Sequence, residues 1–72
     1  MKKSQLNETQ PIINEILSKL KAKHTHANVH IYGDVVDFYY GQHLQSIVEV
    51  SYIELHEALL NKTIPNKITK LL

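Results

Sequence analysis

The chain has 72 residues, a formal net charge of +1 with histidine neutral, and no cysteine. That length bounds it to one small domain over 1–72, and the missing cysteine excludes a disulfide framework and any thiolate zinc site. Every basic residue is a lysine, and the absence of arginine, the usual bidentate reader of guanine and phosphate, counts against sequence-specific DNA binding.

Residues 1–6 read as a frayed lead-in. Asn7 or Thr9 caps a first helix over about 9–23, with Pro11 in its first turn. Ile12, Ile13, Ile16, Leu17 and Leu20 recur at helical spacing and form one apolar stripe. Lys19, Lys21 and Lys23 fall at the end of the helix, where cations suit the dipole.

The segment HTHANVH places His24, His26 and His30 at even spacings. Three ligands strung along one extended segment cannot surround an ion, so the row marks the approach to a strand and no metal or cofactor is expected. From Val29 onward the pattern alternates, and Gly33-Asp34 suits a two-residue hairpin loop with glycine first. That loop pairs Tyr32 with Val35, Ile31 with Val36, His30 with Asp37 and Val29 with Phe38. It sorts Val29, Ile31, Val36, Phe38 and Tyr40 to one face, and His30, Tyr32, Val35, Asp37 and Tyr39 to the other.

A three-residue loop at Gly41-Gln42-His43 starts a third strand. It pairs Tyr40 with Leu44, Val36 with Val48 and Asp37 with Ile47. Leu44, Val48 and Val50 then join the apolar face, while Gln45, Ile47 and Glu49 join the other. Residues 44–61 also match a helical period, so one long helix is the rival reading. The β-branched run IVEV favours a strand, and Ser51-x-x-Glu54 is a capping box. A helix from Tyr52 to about Asn61 follows, with Leu55 and Leu59 inward. Thr63 caps a short closing helix that holds Pro65 in its first turn and Ile68, Leu71 and Leu72 as apolar residues. The expected architecture is α+β: helix, three-stranded antiparallel meander, helix and short C-terminal helix in two layers.

The functional reading centres on the second sheet face. Tyr32, Tyr39, Val35 and Ile47, with His30 and Asp37, give an apolar centre and a polar rim, the anatomy of an interface. Tyrosine suits a surface that is wet when free and buried when bound. A core this small is marginal, since burial at ~25 cal/mol per Å² roughly cancels ordering at ~1.5 kcal/mol per residue. The chain is therefore expected to be a non-enzymatic interaction module (an adaptor, inhibitor or regulator). It would dock a protein partner or a second copy, as a homodimer, through this face or an edge strand.

Two other classes remain. The element order resembles that of double-stranded RNA-binding domains, but only in order. Those domains carry lysines at the start of the last main helix, where this chain has Glu54 and Glu57. A nucleic-acid partner would instead use Lys19, Lys21, Lys23, Lys62, Lys67 and Lys70. An enzyme would centre on His30 and Asp37 near Tyr32 and Tyr39, but no nucleophile or oxyanion site accompanies them. No apolar run approaches the ~20 residues that span a bilayer, and MKK is followed by polar SQLNETQ instead of an apolar signal segment. A cytoplasmic protein is the expectation. Lysine-, isoleucine- and asparagine-rich usage fits an AT-rich genome such as that of a bacterium or phage.

Overall fold

The computed structural model describes residues 2–40, 46–70 and 72. Helix α1 (Lys3–Lys23) is followed by strands β1 (Asn28–Tyr32), β2 (Val35–Tyr40) and β3 (Ser46–Ser51), then by α2 (Tyr52–Asn61) and α3 (Asn66–Thr69). The three strands form one antiparallel sheet in the order β1-β2-β3. The expected α+β meander is therefore the fold.

The first helix starts earlier than its sequence suggests. It begins at Lys3, not near Thr9, and Pro11 lies inside it. A proline in a helix interior costs ~3 kcal/mol, because it deletes one amide donor and crowds the preceding turn. Two features offset that. Pro11 and Asn7, whose carbonyl loses its amide partner, are both exposed to water. Thr9 is fully buried, and its hydroxyl donates to the Gln5 carbonyl at 2.9 Å. The side chain of Gln5 also accepts from the Lys2 amide at 3.0 Å, satisfying one donor at the helix start.

The stripe of Ile12, Ile13, Ile16 and Leu20 is buried as the periodicity requires. It meets Val36, Phe38 and Val50 from the sheet, Leu55 and Ala58 from α2, and Ile68 from α3 in one cluster. Val29, Ile31, Tyr40 and Val48 pack around that cluster as partly buried neighbours.

The Gly33-Asp34 reversal is present as expected, and β1 pairs with β2 as Val29↔Phe38, His30↔Asp37, Ile31↔Val36 and Tyr32↔Val35. Gly33 has φ +54, whereas Asp34 is not among the residues of positive φ. A two-residue loop with positive φ only at its first position is the glycine-first type. The carbonyl of Asp34 also accepts from the Tyr52 amide at 2.8 Å, which ties the loop to the start of α2.

The second strand pairing differs from expectation. Strand β2 pairs with β3 as Val36↔Val50, Asp37↔Glu49, Phe38↔Val48 and Tyr39↔Ile47, with Tyr40 opposite Ser46. The pairing is thus shifted by two residues from that of a three-residue loop. The loop at Gly41-Gln42-His43, Leu44 and Gln45 lie outside the described residues. Side chains alternate with period two, so this shift keeps Ile47, Val48, Glu49 and Val50 on their predicted faces and changes only their neighbours. Tyr40 therefore faces Ser46 and not Leu44, and Asp37 faces Glu49 and not Ile47.

Ser51 caps α2, its Oγ accepting from the Glu54 amide at 3.2 Å. Helix α2 ends at Lys62 in the left-handed conformation, φ 55 and ψ 40. The closing helix is shorter than expected. Its N-cap is Pro65, not Thr63; Ile68 enters the core, Leu72 is exposed, and Leu71 lies outside the described residues.

Candidate functional site: the outer face of the sheet

With the helices covering one side of the sheet, the other side presents three cross-strand rows. The first is Tyr32–Val35–Ser51, the middle one His30–Asp37–Glu49, and the third Asn28–Tyr39–Ile47. All six residues expected at a docking surface therefore lie on one sheet face. Tyr32 is 48% exposed and Ile47 61%. His30 is exposed as well, while Val35, Asp37 and Tyr39 on the central strand are half-buried.

The register changes the character of this face. Its centre was expected to be apolar, with Ile47 opposite Asp37. Instead the middle row consists of three ionisable groups, and the apolar side chains lie on either side of it. Asp37 and Glu49 face one another directly, an arrangement of like charges that disfavours the sheet. Asp37 Oδ1 is buried and has no hydrogen-bond partner among the described residues. Tyr32 is a diagonal neighbour of Asp37. Its phenol is raised above the ordinary tyrosine value, chiefly by the negative charge of Asp37, then by burial, by the charge of Glu49, and by hydrogen bonding of its hydroxyl to both carboxylates. The rings of His30 and Tyr32 lie 5.5 Å apart at 37°.

The histidine row does not converge. The ring of His24, at the end of α1, packs on Tyr40 with centroids 4.5 Å apart. His26 lies in the exposed turn that follows, and His30 is on the outer face of β1. Among the described residues no group of three or more metal-ligating side chains is placed to hold an ion.

The six candidate lysines have different neighbours. Lys19 lies 3.9 Å from Glu15 on the same helix. Lys67 donates to the Glu54 carboxylate and the Glu49 carbonyl, each at 3.2 Å. Lys23 donates to the Leu72 carbonyl at 3.2 Å, and Lys62 lines a groove with Pro11 and Glu15. Lys21 and Lys70 are exposed.

Sequence reading missed a second polar cluster, between α1 and α2. The two oxygens of Glu8 contact different residues of α2. One accepts from the Tyr52 hydroxyl at 3.0 Å, and the other lies 2.6 Å from His56 Nδ1, at ion-pair distance but without hydrogen-bond alignment. Burial and Glu8 raise the Tyr52 phenol. The only sequence signal was that Tyr52 and His56, four apart, share a helix face. Their common partner lies more than forty residues earlier in the chain. The cluster clamps the early turns of α1 onto α2. On the same helix Ile53 and Leu60 are exposed, with Glu57 between them in sequence.

No helix among the described residues is long and apolar enough to cross a membrane. No family model, curated protein or solved structure matches the chain.

Proposed function

We propose that this chain is a small, non-enzymatic protein-interaction module, acting in the cytoplasm as an adaptor, inhibitor or regulator, and that it docks a protein partner through the outer face of its sheet. One observation carries the reading. A three-stranded platform, anchored from behind by the core, presents Tyr32, Tyr39, Val35 and Ile47 on its front. A sheet face that meets only water needs no tyrosine pair beside two aliphatic side chains, whereas interface centres are enriched in such residues. Two of the six candidate lysines are already held in ion pairs with carboxylates, which favours this face over a nucleic-acid surface.

The test is partner capture from the native host by the wild-type chain and by the Tyr32→Ala/Tyr39→Ala variant, followed by reconstitution with the purified partner. Loss of binding with an unchanged circular-dichroism spectrum is the expected result. Equal binding by both proteins would remove the face from consideration.

A further inference from the structure

The observed strand register defines what the outer face would recognise. Three features meet there. Asp37 and Glu49 are direct cross-strand neighbours, so two carboxylates repel one another at the centre of the sheet. Asp37 Oδ1 is buried with no hydrogen-bond partner among the described residues, the Tyr32 hydroxyl serving the rest of the two carboxylates as a neutral donor that leaves their charge in place. Leaving a buried acceptor unpaired costs ~1–3 kcal/mol, more when it is charged. Tyr32 and Tyr39 flank the carboxylates on either side, one from the neighbouring strand and one two residues along the same strand. Carboxylates beside aromatic rings make a seat for a cation: the acids supply charge-assisted hydrogen bonds and the ring faces supply cation–π attraction. No lysine occurs in the three outward rows to occupy that seat, and Lys67 reaches the backbone carbonyl of Glu49 at 3.2 Å.

We infer that the outer sheet face binds an arginine or lysine side chain presented by an apolar-flanked segment of a protein partner, with the cation held by Asp37 and Glu49 and its neighbours resting on the tyrosines and Ile47. This deepens the docking reading above and rests on it. A second copy of the chain is the poorer occupant. A two-fold axis through the middle of this face would lay Asp37 against Asp37, compounding the repulsion. An arginine suits the seat best, because its planar fork offers paired donors to carboxylates.

Two experiments decide the matter. In the first, isotope-labelled protein is titrated with blocked tripeptides Ile-Arg-Val, Ile-Lys-Val and Ile-Gln-Val, and amide shifts are mapped. The two cationic peptides are expected to move His30, Asp37 and Glu49, weakened by added salt, while the glutamine peptide leaves them unmoved. Equal response to the glutamine peptide, or no response to either cationic one, overturns the inference.

In the second, the reconstituted partner is measured against Asp37→Asn/Glu49→Gln beside Tyr32→Ala/Tyr39→Ala. The acidic-pair variant, which relieves repulsion and so keeps the fold, is expected to weaken binding about ten- to a hundredfold. Binding that survives the acidic-pair variant but not the tyrosine variant rejects the cation and keeps the docking face. Binding that survives both rejects both.

Discussion

The two faces of the sheet carry alternate residues of the same strands, yet they solve opposite problems. On the inner face Val36, Phe38 and Val50 are sealed from solvent by three helices. On the outer face Asp37 sits between Val36 and Phe38 in sequence, pairs with a second carboxylate, and keeps a buried oxygen without a donor. The inner face satisfies folding within the chain. The outer face holds opposed carboxylates whose repulsion the Tyr32 hydroxyl relieves only in part, and such tension at the centre of a sheet is a mark of a surface shaped for something else.

The largest expected effect comes from breaking the covered side. Phe38→Ala should cost ~3–5 kcal/mol, most of the stability of a small domain at the low end of ~5–15 kcal/mol. Its far-ultraviolet circular dichroism should show a largely unfolded chain. Tyr39→Ala, one residue along and on the other side, should stay within ~1 kcal/mol of wild type. Similar losses at both positions would mean the two faces are not distinct.

Gly33→Ala comes next. The added methyl would meet nothing within 4 Å, so the whole effect is the backbone strain of φ +54. A loss of ~1–2 kcal/mol by urea unfolding is expected. A neutral outcome would mean that the reversal does not need its glycine.

A smaller effect separates charge from burial. In an alkaline titration followed by tyrosinate absorbance, Tyr32 and Tyr52 should ionise above the ordinary tyrosine value. The folded chain holds each phenolic proton more tightly than the unfolded chain. The stability this contributes is therefore complete below the unfolded value and is lost as the pH rises through the folded one. Asp37→Asn should bring Tyr32 back toward normal and leave Tyr52 late, because Tyr52 is raised by burial and Glu8. That same substitution should stabilise the sheet by up to ~1 kcal/mol, since it removes one of two opposed charges.

The inner face was legible in the sequence because two independent signals agreed on it. Alternation placed Val29, Ile31, Val36 and Phe38 on one side, and the glycine-first loop fixed how those strands meet. The second pairing was not legible. Shifting it by two residues keeps every side chain on its face, so hydrophobic patterning cannot distinguish Asp37 opposite Ile47 from Asp37 opposite Glu49. That ambiguity hid the charged row at the centre of this face while leaving the same six residues on it. The start of α1 was hidden for another reason. Pro11 reads as a first-turn residue, and only the tertiary burial of Leu6 and Thr9 reveals that the helix continues before it. The contacts of Glu8 with Tyr52 and His56 depend on helix packing that no local pattern encodes.

The most direct measurement is the cross-strand nuclear Overhauser pattern of the isolated chain. Contacts between the Asp37 and Glu49 backbones, with Tyr39 matched to Ile47, would establish the ionisable row on which the cationic partner depends. Contacts joining Asp37 to Ile47 would replace that row with an apolar centre and contradict the account.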